Sequence, residues 1–545
     1  MASTRQTDSA GDLVSLRSTY ARHIGNVLTF DEGENLLRGM PVASVLRFGG
    51  VILGSSHGQA KDYNLSHPVS HIDDFLSHTW STPRYKKWMT LVISYNFLPA
   101  VALSSLVSLA YALLIFQLGR PPQVGTCEIT CQMVGGLTFL LALFGVHDLH
   151  GLFRLALDRL FKCCTLRTVF LDKACVHQTD TELKRKSIQS LAAFLNNSRS
   201  LVVLYSDVYL KRLWTVYEFS SFLLLKPIGA CLDILPVSLP VMFFATLAMV
   251  TIQWVCCAVH WRCGGYYVSP DGPEGMLVSM GMTSKYAVCL SSVAVPLAVL
   301  LQWWARTLRR IRLGLEHFDI KATQCACEAD REIVEGNIEA FVKHIQQVAP
   351  DASQAESLAA FGGLVRRTVP RLMSKSFGRL GVRYRIALFL YIQNMYQPFD
   401  DVSAMIYMGA ERTDIALAVL KGLFACFIQG PLMVAAGANF ARETAKYQGV
   451  CGVAMTAMNA IVIMWTDHML NIPDAILNQQ RPTDPTHLAG YVLYCSSLGL
   501  ITYLIYNRFG GAARVCDDKA SAAKVDSRPA EAREQRSDQI FVASV

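Results

Sequence analysis

The strongest constraint on this chain is a series of uncharged stretches of 18 residues or more, the length a helix needs to cross roughly 30 Å of hydrocarbon. Seven of them, at about 97–117, 129–146, 236–258, 286–305, 422–441, 447–466 and 488–506, predict transmembrane helices. An eighth, 386–410, is apolar but carries Pro398, Asp400 and Asp401 in its middle, so it reads as a broken span or as an interfacial segment. Composition agrees with this pattern. Of 545 residues, 52% are hydrophobic and only 17% charged, and the mean hydropathy is +0.30, whereas a soluble domain carries about a quarter charged residues. Disordered, collagen-like and wholly soluble chains are excluded. The expected class is an α-helical multi-pass membrane protein of about 7–8 spans.

The net charge of +8 is modest, and the basic residues cluster beside apolar segments: Arg84, Lys86 and Lys87; Arg306, Arg309, Arg310 and Arg312; Arg442 and Lys446; Arg508 and Arg514. That distribution points to orientation in a bilayer and not to nucleic acid. All four clusters fall on one side if 386–410 crosses, which gives eight crossings with both termini cytosolic. The organelle is not encoded in these features. The N-terminus lacks the pattern of a cleaved signal peptide. Residues 1–65 read as a poorly patterned tail, 306–385 as a cytosolic helical insert, and 507–545 as a polar tail. Residues 89–146 hold one pair of spans, 236–305 a second, and 386–506 the C-terminal membrane region. Within the insert, Asp330 is a candidate N-cap, and Val334, Ile338, Phe341, Ile345 and Val348 recur at helical spacing.

Between the first spans lie soluble pieces. Short strand candidates occur at 72–78 and 168–172, a continuous apolar run of the buried-parallel type at 201–206, and a fourth candidate at 232–237. Helical patterns separate them, so the expected arrangement is a parallel sheet, with any ligand beyond the carboxyl ends of its strands. The ordered landmarks Asp74-Phe75-Leu76-Ser77-His78, Phe170-Leu171-Asp172, Ser198-Arg199-Ser200, Ser206-x-x-Tyr209 and Leu213-Trp214-x-x-x-Glu218 resemble those of a Toll/interleukin-1 receptor (TIR) domain. The stretch from Leu171 to Gln178 is also similar to heterokaryon-incompatibility domains. The resemblance covers 66–88 and 147–235, split by the first pair of spans, and implies a cytosolic flavodoxin-like α/β domain. Because both flanks must meet in one sheet, the interruption must contain an even number of crossings. Two features depart from the family pattern: the glycine usual in the loop after the second strand is missing, and so are the last strand and helix.

In TIR domains that cleave NAD, the catalytic carboxylate is the glutamate four residues after the tryptophan, and Trp214 to Glu218 matches that spacing. The resemblance therefore implies Glu218 as the catalytic residue, with Ser77, His78, Thr79, Trp80, Lys173 and Trp214 flanking the dinucleotide. Loss of nicotinamide passes through an oxocarbenium-like state that a carboxylate stabilises. NAD enters as a substrate; no bound cofactor or metal is expected. Many TIR domains only self-associate, so the expected function is membrane-anchored signalling through assembly with copies of itself or related domains, with or without NAD cleavage. A rival reading is a channel or transporter with the domain as a regulatory cap, because Asp400 and Asp401 lie at membrane depth, where ionisable residues often mark a polar path. Alternatively, Pro398 ends the span and both aspartates sit among headgroups.

Overall fold

The computed structural model describes residues 28–30, 36–119, 130–160, 167–225, 231–248 (less 239, 243 and 246), 294–325, 328–344, 348–377 (less 350), 382–407 (less 383 and 391), 409–459 (less 448) and 485–505. Six strands, β1 (Arg38–Pro41), β2 (His67–Pro68), β3 (Ile72–Ser77), β4 (Thr168–Phe170), β5 (Ser198–Tyr205) and β6 (Cys231–Pro236), join in the order β2-β1-β4-β3-β5-β6. β4, β3, β5 and β6 are mutually parallel, and β1 is antiparallel to both of its neighbours. Among the parallel strands the chain order across the sheet is second, first, third, fourth, an order of the doubly wound class.

Strand β5 shows why the sheet is covered on both faces. Its side chains alternate, so Leu201, Val203 and Tyr205 enter one apolar core while Val202 and Leu204 enter the other. Helix α1 (Val42–Gly50) and the bases of α2 (Arg84–Gln117) and α3 (Cys131–Leu160) cover the second face. α4 (Thr181–Gln189) and α5 (Leu191–Asn196) connect β4 to β5, and α6 (Leu213–Leu225) connects β5 towards β6. α5 and α6 cover the first face.

Helices α2 and α3 pack antiparallel. Asn96 Nδ2 donates to the Leu143 carbonyl (2.8 Å) and Ser108 Oγ to that of Cys131 (3.0 Å). At 34 residues, α2 is roughly 50 Å long, about 20 Å more than hydrocarbon requires. The surplus is its N-terminal third, where Leu91, Val92, Ile93 and Phe97 are buried against the sheet. Beyond it, Leu98, Leu106, Leu109, Leu113 and Leu114 face outward. Asp74, buried in β3, ties the layers together by accepting from Tyr95 Oη of α2 (3.0 Å), Arg167 (3.1 Å) and Ser200 Oγ of β5. Burial raises its pKa, opposed chiefly by the Arg167 guanidinium.

The expected tail at 1–65 is corrected: 36–65 belongs to the domain, with Met40, Val42, Val45 and Leu46 in the core. The insert at 306–385 is helical and packs into the core of the domain. α7 (Ala294–Glu316) runs into it, followed by α8 (Glu328–His344) and α9 (Gln354–Phe377). The α8 face of Val334, Ile338 and Phe341 is buried with α6, and Leu358, Phe361 and Val365 of α9 extend the same core. Asp330 lies inside α8 and accepts from Trp214 Nε1 (3.1 Å), so it is not an N-cap. Ile345 lies outside the described residues.

The stretch 386–410 does not form one spanning helix. It breaks into α10 (Tyr384–Leu390), a 3-10 turn at Ile392–Met395, and α11 (Gln397–Tyr407). Tyr396 is fully buried between α2 and α3: its hydroxyl shares a 2.6 Å hydrogen bond with Ser104 Oγ, and a Cβ on Gly135 would lie 2.4 Å from its ring. Asp400, also buried, accepts from the backbone N–H groups of Cys131 (2.8 Å) and Gln132 (3.1 Å), capping α3. Both of its oxygens are thus engaged by protein, which neither the polar-path nor the headgroup placement anticipated.

Among the described residues two helices are long and apolar enough to cross a membrane, Arg84–Gln117 and Arg412–Thr444. The second comprises α12 (Arg412–Phe424), a π turn at Ala425–Gln429 and α13 (Gly430–Thr444). The π turn precedes Pro431, which cannot donate to the Phe427 carbonyl; Tyr384 Oη donates to it instead (2.7 Å). Of the other expected spans, 129–146 and 447–466 contain shorter apolar helices, at Cys131–Gly145 and Val450–Asn459; 236–258 lies largely outside the described residues, and 286–305 is described from residue 294, where α7 begins. The helix Pro485–Tyr503, α14, covers most of 488–506 but does not reach the same apolarity.

Because α8 completes the core beneath α6, Phe341→Ala should destabilise the α/β domain by about 3 kcal/mol. Thermal unfolding read by protease resistance of the domain measures this; an insert that folded apart would leave the domain's transition unchanged.

Candidate functional site

The carboxyl ends of β3, β4 and β5 converge on one edge, where the connection from β4 crosses to the far side of β3. Such a reversal of strand order opens a crevice in doubly wound sheets. Ser77, the last residue of β3, is fully buried. Its Oγ donates to Glu218 Oε2 (2.6 Å) and lies 2.6 Å from Tyr209 Oη, so with Glu218 ionised the tyrosine donates to the serine and the serine to the carboxylate. Thr79 Oγ1 continues this edge, 2.7 Å from Thr82 Oγ1 and 3.3 Å from Ser206 Oγ beyond β5.

Glu218 is carried by α6, a helix apolar around most of its circumference because it lies between the sheet and α8. Burial pushes its pKa up to about 8; the Ser77 hydrogen bond opposes that shift and the negative charge of Asp172 adds to it. At neutral pH the group therefore holds its proton in most molecules. Tyr209 is likewise shifted upward, first by burial and then by Glu218.

On the other side of β3, Trp80 organises a second group. Its Nε1 donates to Asp172 Oδ2 (2.9 Å), its ring stands edge-on to His78 with centroids 4.5 Å apart, and Lys87 Nζ lies 4.7 Å above it. Lys173 Nζ lies 6.0 Å from the same ring and donates to the Ser55 carbonyl (3.0 Å), with Asp62 at 3.8 Å. Burial lowers His78 to about 4, despite Asp172 and with help from Lys87. Lys87 precedes the lipid-length part of α2; burial brings its amine down to about 8, opposed by Asp172 and aided by Lys173.

Ser77, His78, Thr79, Trp80, Lys173 and Glu218 thus lie along one strand edge, joined through Ser77, Asp172 and Trp80. Trp214 stands apart from them. Its i, i+4 relation to Glu218 puts both on one side of α6, but the indole leans outward to Asp330 and packs edge-on to Tyr217 (centroids 5.8 Å). Lys87 and Asp172 take larger parts in the geometry than their sequence context suggests. Lys87 sits in a basic cluster that membrane orientation already explains, whereas Arg84 in that cluster is exposed and Lys87 is not. Among the described residues no group of three His, Cys, Asp or Glu side chains could hold a metal ion.

No family model, curated protein or solved structure matches the chain.

The sign of the Glu218 shift predicts a pH effect. Its folded-state pKa, about 8, is raised above the ordinary glutamate value of 4.5, so the folded state binds the proton more tightly and the contribution to stability is lost as pH rises from about 4.5 through about 8. Glu218→Gln, which keeps the shape without titrating, should gain stability relative to the parent over that interval and then level off. Paired unfolding temperatures at pH 5, 7 and 9 measure it; a constant difference would count against a buried, proton-holding Glu218.

Proposed function

We propose that this chain is a membrane-anchored, TIR-like signalling protein that assembles through its α/β domain and cleaves NAD at Glu218. The observation that carries the reading is the position of Glu218: a carboxyl shifted into the neutral range, hydrogen-bonded by the last residue of the central strand at the crevice of a doubly wound sheet. The strand order and the placing of Ser77, Asp172, Tyr209 and Glu218, each within a family-like landmark, near the carboxyl edge support the TIR-like assignment. The two spanning-length helices support membrane anchorage, and the outward leucines of α2, with Leu137 and Leu141 of α3 and Leu493 and Leu500 of α14, support further contact with lipid. Basic clusters flanking the apolar segments favour a cytosolic domain. Confinement to a surface raises the effective concentration of such domains and so favours their assembly.

In the proposed reaction the bond from the ribose anomeric carbon to the nicotinamide nitrogen breaks, its electron pair leaves with nicotinamide, and the ribosyl cation is captured by water, which releases its proton to solvent. Ionised Glu218, held by Ser77, stabilises the cation as it develops. Trp80 offers an aromatic wall, and Lys173 a cation for phosphate.

With purified full-length protein in nanodiscs, nicotinamide release from NAD is expected for the parent and a fall of about a hundredfold or more for Glu218→Ala. Because the ionised form acts, kcat/KM should rise about tenfold from pH 7 to pH 9. Release that persists in a folded Glu218→Ala protein would remove that residue from the chemistry. No release from a folded parent, tested also at surface densities that promote assembly, would leave assembly as the domain's sole role.

A further inference from the structure

Two of the basic clusters, separate in sequence, meet in space. α7 passes from one core to another: Leu300, Leu301, Trp304 and Ala305 pack with the alanines of α13, Ile311 and Leu315 belong to the α/β core, and Leu308 touches both. Leu308 thus marks the neck at which the domain joins the apolar helices. α13 ends at the same level. It stops at Thr444, and Gly449, in the left-handed region at φ +70°, turns the chain into the helix Val450–Asn459. Gln302 of α7 holds that turn, its Nε2 donating to Thr444 Oγ1 (2.6 Å) and Thr456 Oγ1 (2.7 Å). Arg309 Nη1 reaches the Ala445 carbonyl (3.5 Å), which brings Arg309 beside Lys446.

Along α7, Val299, Trp303, Arg306 and Arg310 share one face, at i, i+4, i+7 and i+11. Val299 and Arg310 are exposed, Trp303 and Arg306 half-buried. This stripe changes from apolar to cationic over about 16 Å, the order of environments that a phospholipid presents from acyl chain to phosphate, with tryptophan at the boundary. Lys446 and Tyr447 repeat the pattern beyond α13: both are exposed, Nζ stands 5.2 Å from the ring centroid, and Val450 nearby is 84% exposed.

The charges at the neck are poorly matched by the protein. Among the described residues Arg306, Arg309, Arg310 and Lys446 have no carboxylate within ion-pair distance, and Glu443 is taken by Arg442 (3.1 Å). Arg306 Nη2 is shielded from solvent without a hydrogen-bond partner, and Arg310 Nη2 reaches only Thr307 Oγ1, at 3.5 Å. The far end of the α12–α13 helix carries Glu411, Arg412 and Asp414 and has no such cationic excess. An anionic surface therefore complements one end of these helices and not the other.

We propose that this neck binds the headgroup of an anionic phospholipid in the leaflet facing the α/β domain, with Arg306, Arg309, Arg310 and Lys446 around the phosphate and Val299 and Val450 along the acyl chains. The proposal rests on the membrane anchorage argued above and is independent of the chemistry at Glu218. Because α7 continues into the core of the domain, the headgroup and the domain are held by one helix.

The test titrates full-length protein in a neutral detergent with phosphatidylglycerol or phosphatidylcholine of matched acyl chains, and with inorganic phosphate. Bound lipid is counted by native mass spectrometry, and the unfolding temperature is followed in parallel. The parent should bind phosphatidylglycerol at least about fivefold more tightly than phosphatidylcholine, by a margin that shrinks as salt is added. Arg310→Gln and Lys446→Gln, both at exposed positions that tolerate change, should each weaken phosphatidylglycerol about fivefold and leave phosphatidylcholine unaltered. Lys184→Gln combined with Arg185→Gln removes two exposed charges from α4 and should keep the preference intact. Equal affinity of the parent for the two lipids overturns the site. So does a preference that the α4 pair abolishes as fully as the neck variants, since net charge would then be responsible. Stabilisation by inorganic phosphate equal to that by phosphatidylglycerol would assign the neck to a free anion and likewise overturn it. Anchorage is scored apart, by resistance of the vesicle-reconstituted protein to alkaline extraction. An extractable protein with a neck-dependent preference rejects anchorage and leaves the headgroup site standing, whereas a resistant protein without the preference rejects the site alone.

Discussion

The fold depends on closing β3 against β4 across the long excursion through α2 and α3. Asp74 pairs with Val169 and Phe75 with Phe170 only if the chain returns to the side it left. An antiparallel helical hairpin satisfies that condition, and its lower part becomes the layer that covers one face of the sheet. Both faces of β5 are then dry, which permits its uninterrupted apolar run. Asp74 is the polar counterpart of this arrangement. A carboxyl in the middle of a central strand is tolerated because α2, β5 and Arg167 each supply a donor.

The same closure creates the unusual chemistry of the strand edge. β3 ends beneath α6 on one face and beside α2 on the other, so its last residue meets Glu218 while the next ones meet Trp80 and Lys87. α6 is covered on its outer side by α8, contributed by a part of the chain that follows β6 by many residues. The environment of the carboxyl is thus a tertiary property, set by where the end of β3 meets α6.

Strand positions were legible wherever apolar runs were uninterrupted: 201–206 overlaps β5 and 232–237 overlaps β6. β1 was not, since four residues containing Gly39 and Pro41 carry little strand pattern and owe their conformation to pairing with β4. The apolar face of α8 was readable from its spacing, but not its partner, because periodicity names a face without naming what covers it. Pro398 correctly marked a break in 386–410, whereas the use of Asp400 depends on a helix end more than 250 positions away in the chain. At the site, the spacing of Trp214 and Glu218 was readable. The placement of Lys87 was not, because a lysine beside an apolar helix already has a sufficient explanation at the level of charge patterning.

Glu218 and Lys87 show what one environment does to opposite charges. Burial penalises the ionised form of each, lifting the acid and lowering the base until both reach about 8. Asp172 acts on the two with the same sign: its negative charge opposes a second negative charge on Glu218 and supports the positive charge on Lys87, raising both pKa values. Near neutral pH it therefore biases the edge towards protonated Glu218 and charged Lys87. An arriving phosphate adds to both effects, since its charge discourages ionisation of Glu218 and stabilises the charged amine. Binding and ionisation of Glu218 thus oppose each other at this edge, and the positive charge on the nicotinamide ring, adjacent to the bond that must break, is the part of the proposed substrate that would counter that opposition.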